Sequence, residues 1–186
     1  MKPYVISFAA YSGTGKTTLI EAIIPLLESR GMTVAVIKHS HHDIDPDPPG
    51  KDSHRFRQAG SHRVLLATPD RDILVTERAG RGDGRLADSL TMLSSEPCDI
   101  VLVEGFRHDP IDKIEISRQQ SGAPWLYKED RYVVAIAADS LLKDLPEGVP
   151  LLSLNDAHAV TDFIQTLYTV FRAQYEEQSS RKRVLT

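Results

Sequence analysis

The sequence contains a single cysteine, Cys98, among its 186 residues, so no disulfide can form within the chain. Cys98 stands at the start of an apolar strand pattern, which favours a buried structural thiol over a nucleophile. No apolar run approaches the length of a membrane span, and the first residues lack a signal-peptide pattern. These features predict a protein of the reducing cytoplasm with no membrane partner.

Positive charge is not in excess either. The 22 lysines and arginines are outnumbered by 26 aspartates and glutamates, and the formal net charge is −4. The absence of a basic stripe argues against a dedicated nucleic-acid-binding protein. The chain does have the composition of a globular protein, with 41% hydrophobic and 26% charged residues. At this length one domain with a sizeable core is expected.

The most informative stretch runs from Ala10 to Thr18 and has the sequence Ala-Tyr-Ser-Gly-Thr-Gly-Lys-Thr-Thr. It follows an apolar run and opens a helical pattern, which is the strand, turn and helix order of a phosphate-binding loop. Backbone N–H groups of such a loop face phosphate oxygens, and its glycines allow that close approach. The stretch predicts binding of a nucleoside triphosphate or diphosphate by Ser12, Gly13, Thr14, Gly15, Lys16, Thr17 and Thr18.

Two side chains of this loop have distinct predicted roles. Lys16 places a positive charge on the terminal phosphates, and the Thr17 hydroxyl can bind Mg²⁺. Ala10 stands where the motif has its first glycine, but alanine suits the end of a strand, so the turn should still form. The alternative is a chance Gly-Lys-Thr in an ordinary turn, which the preceding strand and following helix disfavour.

Two acidic residues follow predicted buried strands further along the chain. Glu104 ends the run Asp99–Val103, where a nucleotide-hydrolysing protein places the carboxylate that faces Mg²⁺; an exposed strand-end acid is the alternative. Asp139 follows the run Tyr132–Ala138 and could accept hydrogen bonds from guanine. The full guanine motif is absent, and a helix cap is equally consistent with Asp139.

Residues 39–52 form a loop rich in proline and aspartate that leaves the predicted strand Thr33–Lys38. His39, His41 and His42 with Asp43 could bind a transition metal, although their spacing is poor for three ligands on one ion. Alternatively, Lys38 to Asp43 lie beside the phosphates, with Lys38 and His39 contacting the nucleotide and Asp43 reaching Mg²⁺ directly or through water. A solvated loop without a role is the third interpretation.

The order of these elements predicts an α/β fold, a P-loop NTPase with a mainly parallel twisted sheet flanked by helices. The runs His62–Ala67 and Asp72–Glu77, joined by a tight-turn signal, predict an inserted β-hairpin whose edge invites pairing with another chain. The run Asp112–Arg118 alternates and predicts a half-exposed strand. We expect one nucleotide-binding domain over residues 1–175 and a polar tail without regular structure over residues 176–186.

Several segments together resemble the MobB family, the molybdopterin-guanine dinucleotide biosynthesis adapter proteins. Beside the phosphate loop, they are Ile37–Asp43 (Ile-Lys-His-Ser-His-His-Asp), Pro49–Ser53 (Pro-Gly-Lys-Asp-Ser) and Leu102–Arg107 (Leu-Val-Glu-Gly-Phe-Arg). The phosphate loop is shared by many NTPases, whereas the other segments are more specific. Arg107 stands where the family often has lysine, and Ala10 is shared with the family.

The resemblance implies GTP binding with Mg²⁺, weak GTPase activity and a homodimer with sheets joined across its interface. It also implies a partner, the MobA-type guanylyltransferase that attaches GMP to molybdopterin, and makes molybdopterin a candidate ligand. Thr17, Glu104 and Asp43 would hold the metal, and Lys16, Glu104 and Asp43 would serve hydrolysis. Two rivals stay open: a small-molecule kinase with Gly80–Arg85 as its short lid, and a metal-delivery GTPase using the histidine loop.

Overall fold

A computed structural model of the chain describes residues 2–11, 13–40, 44–45, 47–78, 84–118, 125–142, 145 and 147–184. The polypeptide forms two compact units, one made of Met1–His39 with Arg85–Thr186 and the other of Ser40–Gly84. The expectation of one nucleotide-binding domain over residues 1–175 stays a prediction.

Helices and strands alternate along most of the chain. In order, they are β1 (Tyr4–Ala9), α1 (Lys16–Ser29), β2 (Val34–Lys38), α2 (Asp52–Gln58), β3 (Arg63–Ala67), β4 (Asp72–Thr76), α3 (Leu86–Leu93), β5 (Ile100–Glu104), β6 (Asp112–Ser117), a short 3₁₀ helix (Leu126–Lys128), β7 (Val133–Ala138), β8 (Leu151–Ser153) and α4 (Ala157–Val184).

The first unit is built on a six-stranded sheet in the order β2-β5-β1-β6-β7-β8, and every pair of neighbours is parallel. Parallel strands end at a common edge, so the residues that follow β1, β2, β5, β6 and β7 gather there. In register, Phe8 of β1 and Lys38 of β2 both stand opposite Glu104 of β5. The sheet therefore brings the predicted phosphate loop, Lys38 and Glu104 to one edge.

Both faces of this sheet are covered. Helices α1 and α4 pack on one face around Ile23, Leu27 and Ile164. Helix α3 covers part of the other face, and the segment Trp125–Tyr127 packs against β7 on another part of it. Strands β1 and β5 are buried on both sides, which explains their nearly continuous apolar sequences. The predicted α/β architecture is confirmed.

The second unit contains the predicted hairpin, in which β3 and β4 pair antiparallel and Thr68 N–H donates to the Arg71 carbonyl at 3.0 Å. Helix α2 is tied to its surroundings by Arg57, whose guanidinium lies 2.6 Å from Asp45 and 2.8 Å from Glu77. The inserted hairpin is therefore confirmed, and an ion-pair network holds the helix within this unit.

The last helix is longer than the sequence predicts. Asp156 caps this helix: its carboxylate accepts a hydrogen bond from Ala159 N–H at 3.0 Å just before α4 begins. We expected a tail without regular structure from residue 176, whereas α4 continues through Val184. This end of the helix has no apolar face to bury and is supported by two ion pairs one turn apart, Arg172–Glu176 at 3.0 Å and Arg181–Glu177 at 2.6 Å.

No helix in the described part of the chain is long and apolar enough to cross a membrane.

A carboxylate before β5 ties three elements together and gives a prediction about stability. Asp99 Oδ2 accepts hydrogen bonds from Thr33 N–H at 2.9 Å and Thr33 Oγ1 at 2.8 Å, and Oδ1 accepts one from the Tyr168 hydroxyl at 2.8 Å. The Thr33 backbone bond, above all, holds the pKa of Asp99 below its ordinary value of 3.8. We expect Asp99→Asn to lower the free energy of unfolding at pH 7 by about 1–3 kcal/mol.

Because the folded-state pKa is lowered, this stabilisation is present above the unfolded-state pKa and is lost as the pH falls through the folded one. Urea unfolding at pH 7 and near pH 3 measures this effect. The difference in free energy of unfolding between the parent and Asp99→Asn should become smaller at the lower pH. Asp70→Asn, in the exposed hairpin turn, is the control that should leave stability unchanged. A pH-independent gap would contradict the ionic origin of the effect.

Candidate nucleotide-binding site

The loop between β1 and α1 has the backbone geometry of an anion site. Gly13 has φ +78° and Gly15 has φ +98°, values that residues with a side chain rarely adopt. Gly15 is the N-cap of α1 and has no side chain with which to cover the first amides of the helix. Those amides and the positive end of the helix are what a phosphate group binds. The loop can therefore receive a nucleotide phosphate.

The Lys16 side chain folds back and contacts the backbone of the loop. Its ammonium donates hydrogen bonds to the carbonyls of Ala10 at 3.1 Å and Tyr11 at 2.9 Å, and Thr14 Oγ1 donates to the same Tyr11 carbonyl at 2.9 Å. Partial burial lowers the pKa of Lys16, and the neighbouring Glu104 carboxylate opposes that effect. The cation thus stands over the loop, where the terminal phosphates of a nucleotide are expected.

Glu104 and Thr17 meet at the edge of the sheet. The Thr17 hydroxyl lies 3.2 Å from Glu104 Oε2 and 3.3 Å from Oε1, and Lys38 Nζ lies 3.3 Å from Oε2. A threonine hydroxyl and a carboxylate are hard oxygen ligands of the kind that Mg²⁺ prefers. The structure therefore brings together Lys16, Thr17, Lys38 and Glu104, four of the residues that the sequence singled out.

His39 supports the backbone that follows Glu104. Its N–H donates to the Glu104 carbonyl at 2.8 Å, and its ring stacks on Phe106 with centroids 4.3 Å apart. Phe106 has φ +49°, the one described residue other than glycine in the left-handed region. A Cβ on Gly105, which has φ +109°, would lie 2.6 Å from His39 Cβ. Strained backbone of this kind is concentrated at functional sites.

Arg118, which the sequence pattern did not single out, follows β6 at the same edge of the sheet. Its Nε donates to the Thr14 carbonyl at 2.9 Å, and its Nη1 lies 3.5 Å from Asp139 Oδ2. The predicted strand Asp112–Arg118 included Arg118 as its last residue, so inspecting the residue after each predicted strand did not single it out. No helix follows Asp139 before β8 among the described residues, so the structure gives no support to the helix-cap alternative.

A second missed residue is Glu115, which is buried within β6. Its carboxylate accepts hydrogen bonds from the backbone N–H groups of Leu126 at 2.8 Å and Tyr127 at 2.9 Å. Burial raises the pKa of Glu115, and the two amides oppose that effect. Nearby, the Arg107 guanidinium lies 5.4 Å from the centre of the Tyr11 ring of the phosphate loop. The Glu115 bonds therefore hold Leu126 and Tyr127 against β6, and Arg107 contacts the loop through Tyr11.

Some predicted site residues cannot be placed. Ser12, His41, His42 and Asp43 lie outside the described residues, as do residues 80–83 of the lid-like stretch Gly80–Arg85. Within the described part of the chain, no three histidine, cysteine, aspartate or glutamate side chains converge as a metal cluster would require. Thr18 is described and stands exposed in the first turn of α1.

Comparison with known proteins places the chain in a family. The family model for molybdopterin guanine dinucleotide synthesis protein B (MobB) matches residues 5–139. A molybdopterin-guanine dinucleotide biosynthesis adapter protein of Escherichia coli strain K12 is 40% identical over 161 residues, which cover 86% of this chain and 90% of that protein. The protein of the same name from Haemophilus influenzae is 40% identical, and the match covers 87% of each chain.

Solved structures agree on the fold. A crystal structure of a MobB homologue from Bacillus stearothermophilus has a TM-score of 0.68 at 22% identity, over 89% of this chain and 98% of that one. Bacillus subtilis MobB has a TM-score of 0.66 at 21% identity, over 87% and 95% of the two chains. The predicted P-loop α/β fold and the resemblance seen in the sequence are thus confirmed. The chain belongs to the molybdopterin guanine dinucleotide synthesis protein B family.

Proposed function

We propose that this protein is a GTP-binding adapter in the synthesis of molybdopterin guanine dinucleotide and assists the guanylyltransferase that attaches GMP to molybdopterin. The proposed binding of GTP rests on the position of the Lys16 ammonium, which lies over the phosphate loop beside the Thr17–Glu104 pair. The names of the two 40% identical relatives support the adapter part. Any GTPase activity is weak and secondary to binding.

Thr17 and Glu104 are the residues that would hold Mg²⁺. Their oxygen atoms already lie 3.2 Å apart, so a small cation that prefers oxygen ligands fits between them after slight displacement. When bound, the ion would neutralise phosphate charge, while Lys16 would hold the terminal phosphates. Asp43 keeps its proposed role in joining the metal shell or ordering the attacking water, although it lies outside the described residues.

Asp139 is the proposed contact to guanine. It follows β7 at the same edge of the sheet as the loop, and Arg118 orients its carboxylate at 3.5 Å. A carboxylate there can accept hydrogen bonds from both the N1–H and the 2-amino group of guanine, whereas adenine has neither donor in that place. This difference is the basis of the proposed preference for GTP.

The hairpin is the proposed dimer contact. Leu65, Ile73 and Leu74 of β3 and β4 are 58%, 42% and 48% exposed, a large apolar share for such a short hairpin. Among the described residues this sheet has only two strands, so each presents an edge that another chain can extend. A homodimer with sheets joined through these edges would satisfy the free backbone groups and place these apolar side chains beside those of the partner strand.

The test combines binding with reconstitution. Calorimetric titration should show GTP binding with Mg²⁺ in preference to ATP, and weaker GTP binding in EDTA. Added to a guanylyltransferase reaction with molybdopterin and GTP, the protein should raise the yield of dinucleotide, and alone it should form none. A preference for ATP with rapid turnover of a small acceptor would instead identify a kinase and overturn the proposal.

A further inference from the structure

Arg118 stands between the two ends of the proposed nucleotide site. It is the first residue after β6, and β6 lies between β1 and β7 in the sheet. The phosphate loop follows β1, and Asp139 follows β7. The strand order therefore places one arginine within reach of the loop on one side and of the proposed base contact on the other.

Two nitrogens of the guanidinium have a polar partner, and the third lies close to Gly15. Nε donates to the Thr14 carbonyl at 2.9 Å, and Nη1 lies 3.5 Å from Asp139 Oδ2. Nη2 lies 3.0 Å from the position that a Cβ on Gly15 would occupy. A planar fork of donors can serve several directions at once, which a lysine ammonium on a flexible stem does less well. The absence of a side chain on Gly15 is what allows this approach.

The bond to Thr14 has a consequence for phosphate binding. The Thr14 carbonyl and the Gly15 N–H belong to one planar trans peptide, so they point in opposite directions. By holding the carbonyl, Arg118 fixes the direction of the Gly15 N–H, one of the loop amides available to a phosphate. Arg118 thus acts on the nucleotide through the loop backbone as a positioning residue.

The contact with Asp139 is too exposed to be a major source of stability. The side chains of Arg118 and Asp139 are 42% and 24% exposed, and ion pairs with such access to water contribute little to folding. What the pair can do is restrict the orientation of the Asp139 carboxylate. A carboxylate held in one orientation discriminates between purines better than one that rotates freely.

We propose that Arg118 couples the phosphate-binding loop to Asp139, so that nucleotide affinity and the preference for guanine both depend on this one guanidinium. The inference rests on the proposed function, because it requires GTP to be the ligand. It assigns to the chain a specificity-determining residue that acts on phosphate and base together.

The experiment measures dissociation constants for GTP and ATP with Mg²⁺ by calorimetry. Arg118→Gln is expected to weaken GTP binding about tenfold or more, because the charge-assisted bond to the Thr14 carbonyl no longer fixes the direction of the Gly15 N–H. It should also bring the GTP-to-ATP affinity ratio towards one. Arg118→Lys keeps the positive charge but loses the planar set of donors. Compared with Arg118→Gln, it should restore GTP affinity without restoring the GTP-to-ATP affinity ratio. In the Arg118→Gln background, adding Asp139→Asn should change the ratio no further, because the coupling is already lost.

Arg30→Gln is the matched control. Arg30 also has two partners, Gln165 and Asp162, each at 2.6 Å, but it lies at the opposite end of α1. Its loss should lower the melting temperature at least as much as the loss of Arg118 and leave nucleotide binding unchanged. The control therefore separates general destabilisation from an effect on the site.

The outcomes are distinguishable. A parent protein without selective GTP binding overturns the proposed function itself. If the parent binds GTP selectively and folded Arg118→Gln keeps both affinity and ratio, the proposed function stands and the coupling is wrong. Additive effects of the Arg118 and Asp139 changes on the ratio would also overturn it. If Arg118→Gln does not fold, Arg118→Lys alone tests the coupling. An unchanged preference for GTP in that variant would show that the planar guanidinium is not required and would overturn the proposal.

Discussion

Replacing Lys16 with alanine is expected to weaken GTP binding about 100-fold, because two or more charge-assisted contacts to the terminal phosphates are lost together. The ammonium lies over the loop, 2.9 Å from the Tyr11 carbonyl, so little rearrangement separates its present contacts from contacts to a bound phosphate. Calorimetric titration with GTP and Mg²⁺ measures the effect. Stability should change little, because Lys16 is partly exposed and its partners are loop carbonyls.

Glu104→Gln provides the comparison that separates the phosphate contact from the metal contact. It should weaken GTP binding in Mg²⁺ but not in EDTA, where the lost negative charge would if anything favour the nucleotide. Lys16→Ala should weaken binding in both conditions. Equal GTP affinity of the parent and Lys16→Ala proteins would show that the loop does not bind phosphate as proposed.

The parts of this site that the sequence revealed are those specified by local pattern. The glycine-rich loop can be identified because turn, helix start and lysine are contiguous, and Glu104 because a buried apolar strand ends at it. Arg118 and Glu115 have no such local mark. Their importance arises from strand order, which places β6 between β1 and β7, and the linear sequence does not state that order. The left-handed conformation of Phe106 has no mark in the sequence either, and the ring it stacks on belongs to His39, which is distant along the chain.

Strand β6 shows how a pattern can mislead. Alternating Asp112–Arg118 predicted a half-exposed strand, but Lys113 is 0% exposed and Glu115 is 4% exposed. The sheet continues on both sides of β6, and the charged side chains on its buried face have polar partners there. Glu115 meets two backbone amides, and Lys113 meets Asp130. Alternation reports which residues share a face, whereas the exposure of that face depends on what the rest of the chain places over it.

The loss of the buried Lys113 ammonium is therefore expected to destabilise the fold strongly. Its ammonium lies 3.0 Å from Asp130 Oδ2 and donates to the carbonyls of Asp109 at 2.5 Å and Ile111 at 3.2 Å. Lys113→Met keeps the volume but leaves the Asp130 carboxylate and both carbonyls without this donor. We expect the free energy of unfolding to fall by about 3–5 kcal/mol, with the lower end favoured because Asp130 retains some access to water.

Urea unfolding at pH 7 of the parent, Lys113→Met, Asp130→Asn and the double variant measures this cost. The double variant should be more stable than the sum of the two single losses predicts, because it removes the unpaired charge. Lys128→Met, an exposed lysine 6.0 Å above the Tyr127 ring, should cost at most about 1 kcal/mol. A similarly small loss for Lys113→Met would mean that the segment between Glu104 and β6 is held by its backbone and by Ser7, whose hydroxyl donates to the Gly105 carbonyl at 2.9 Å, and not by the buried lysine.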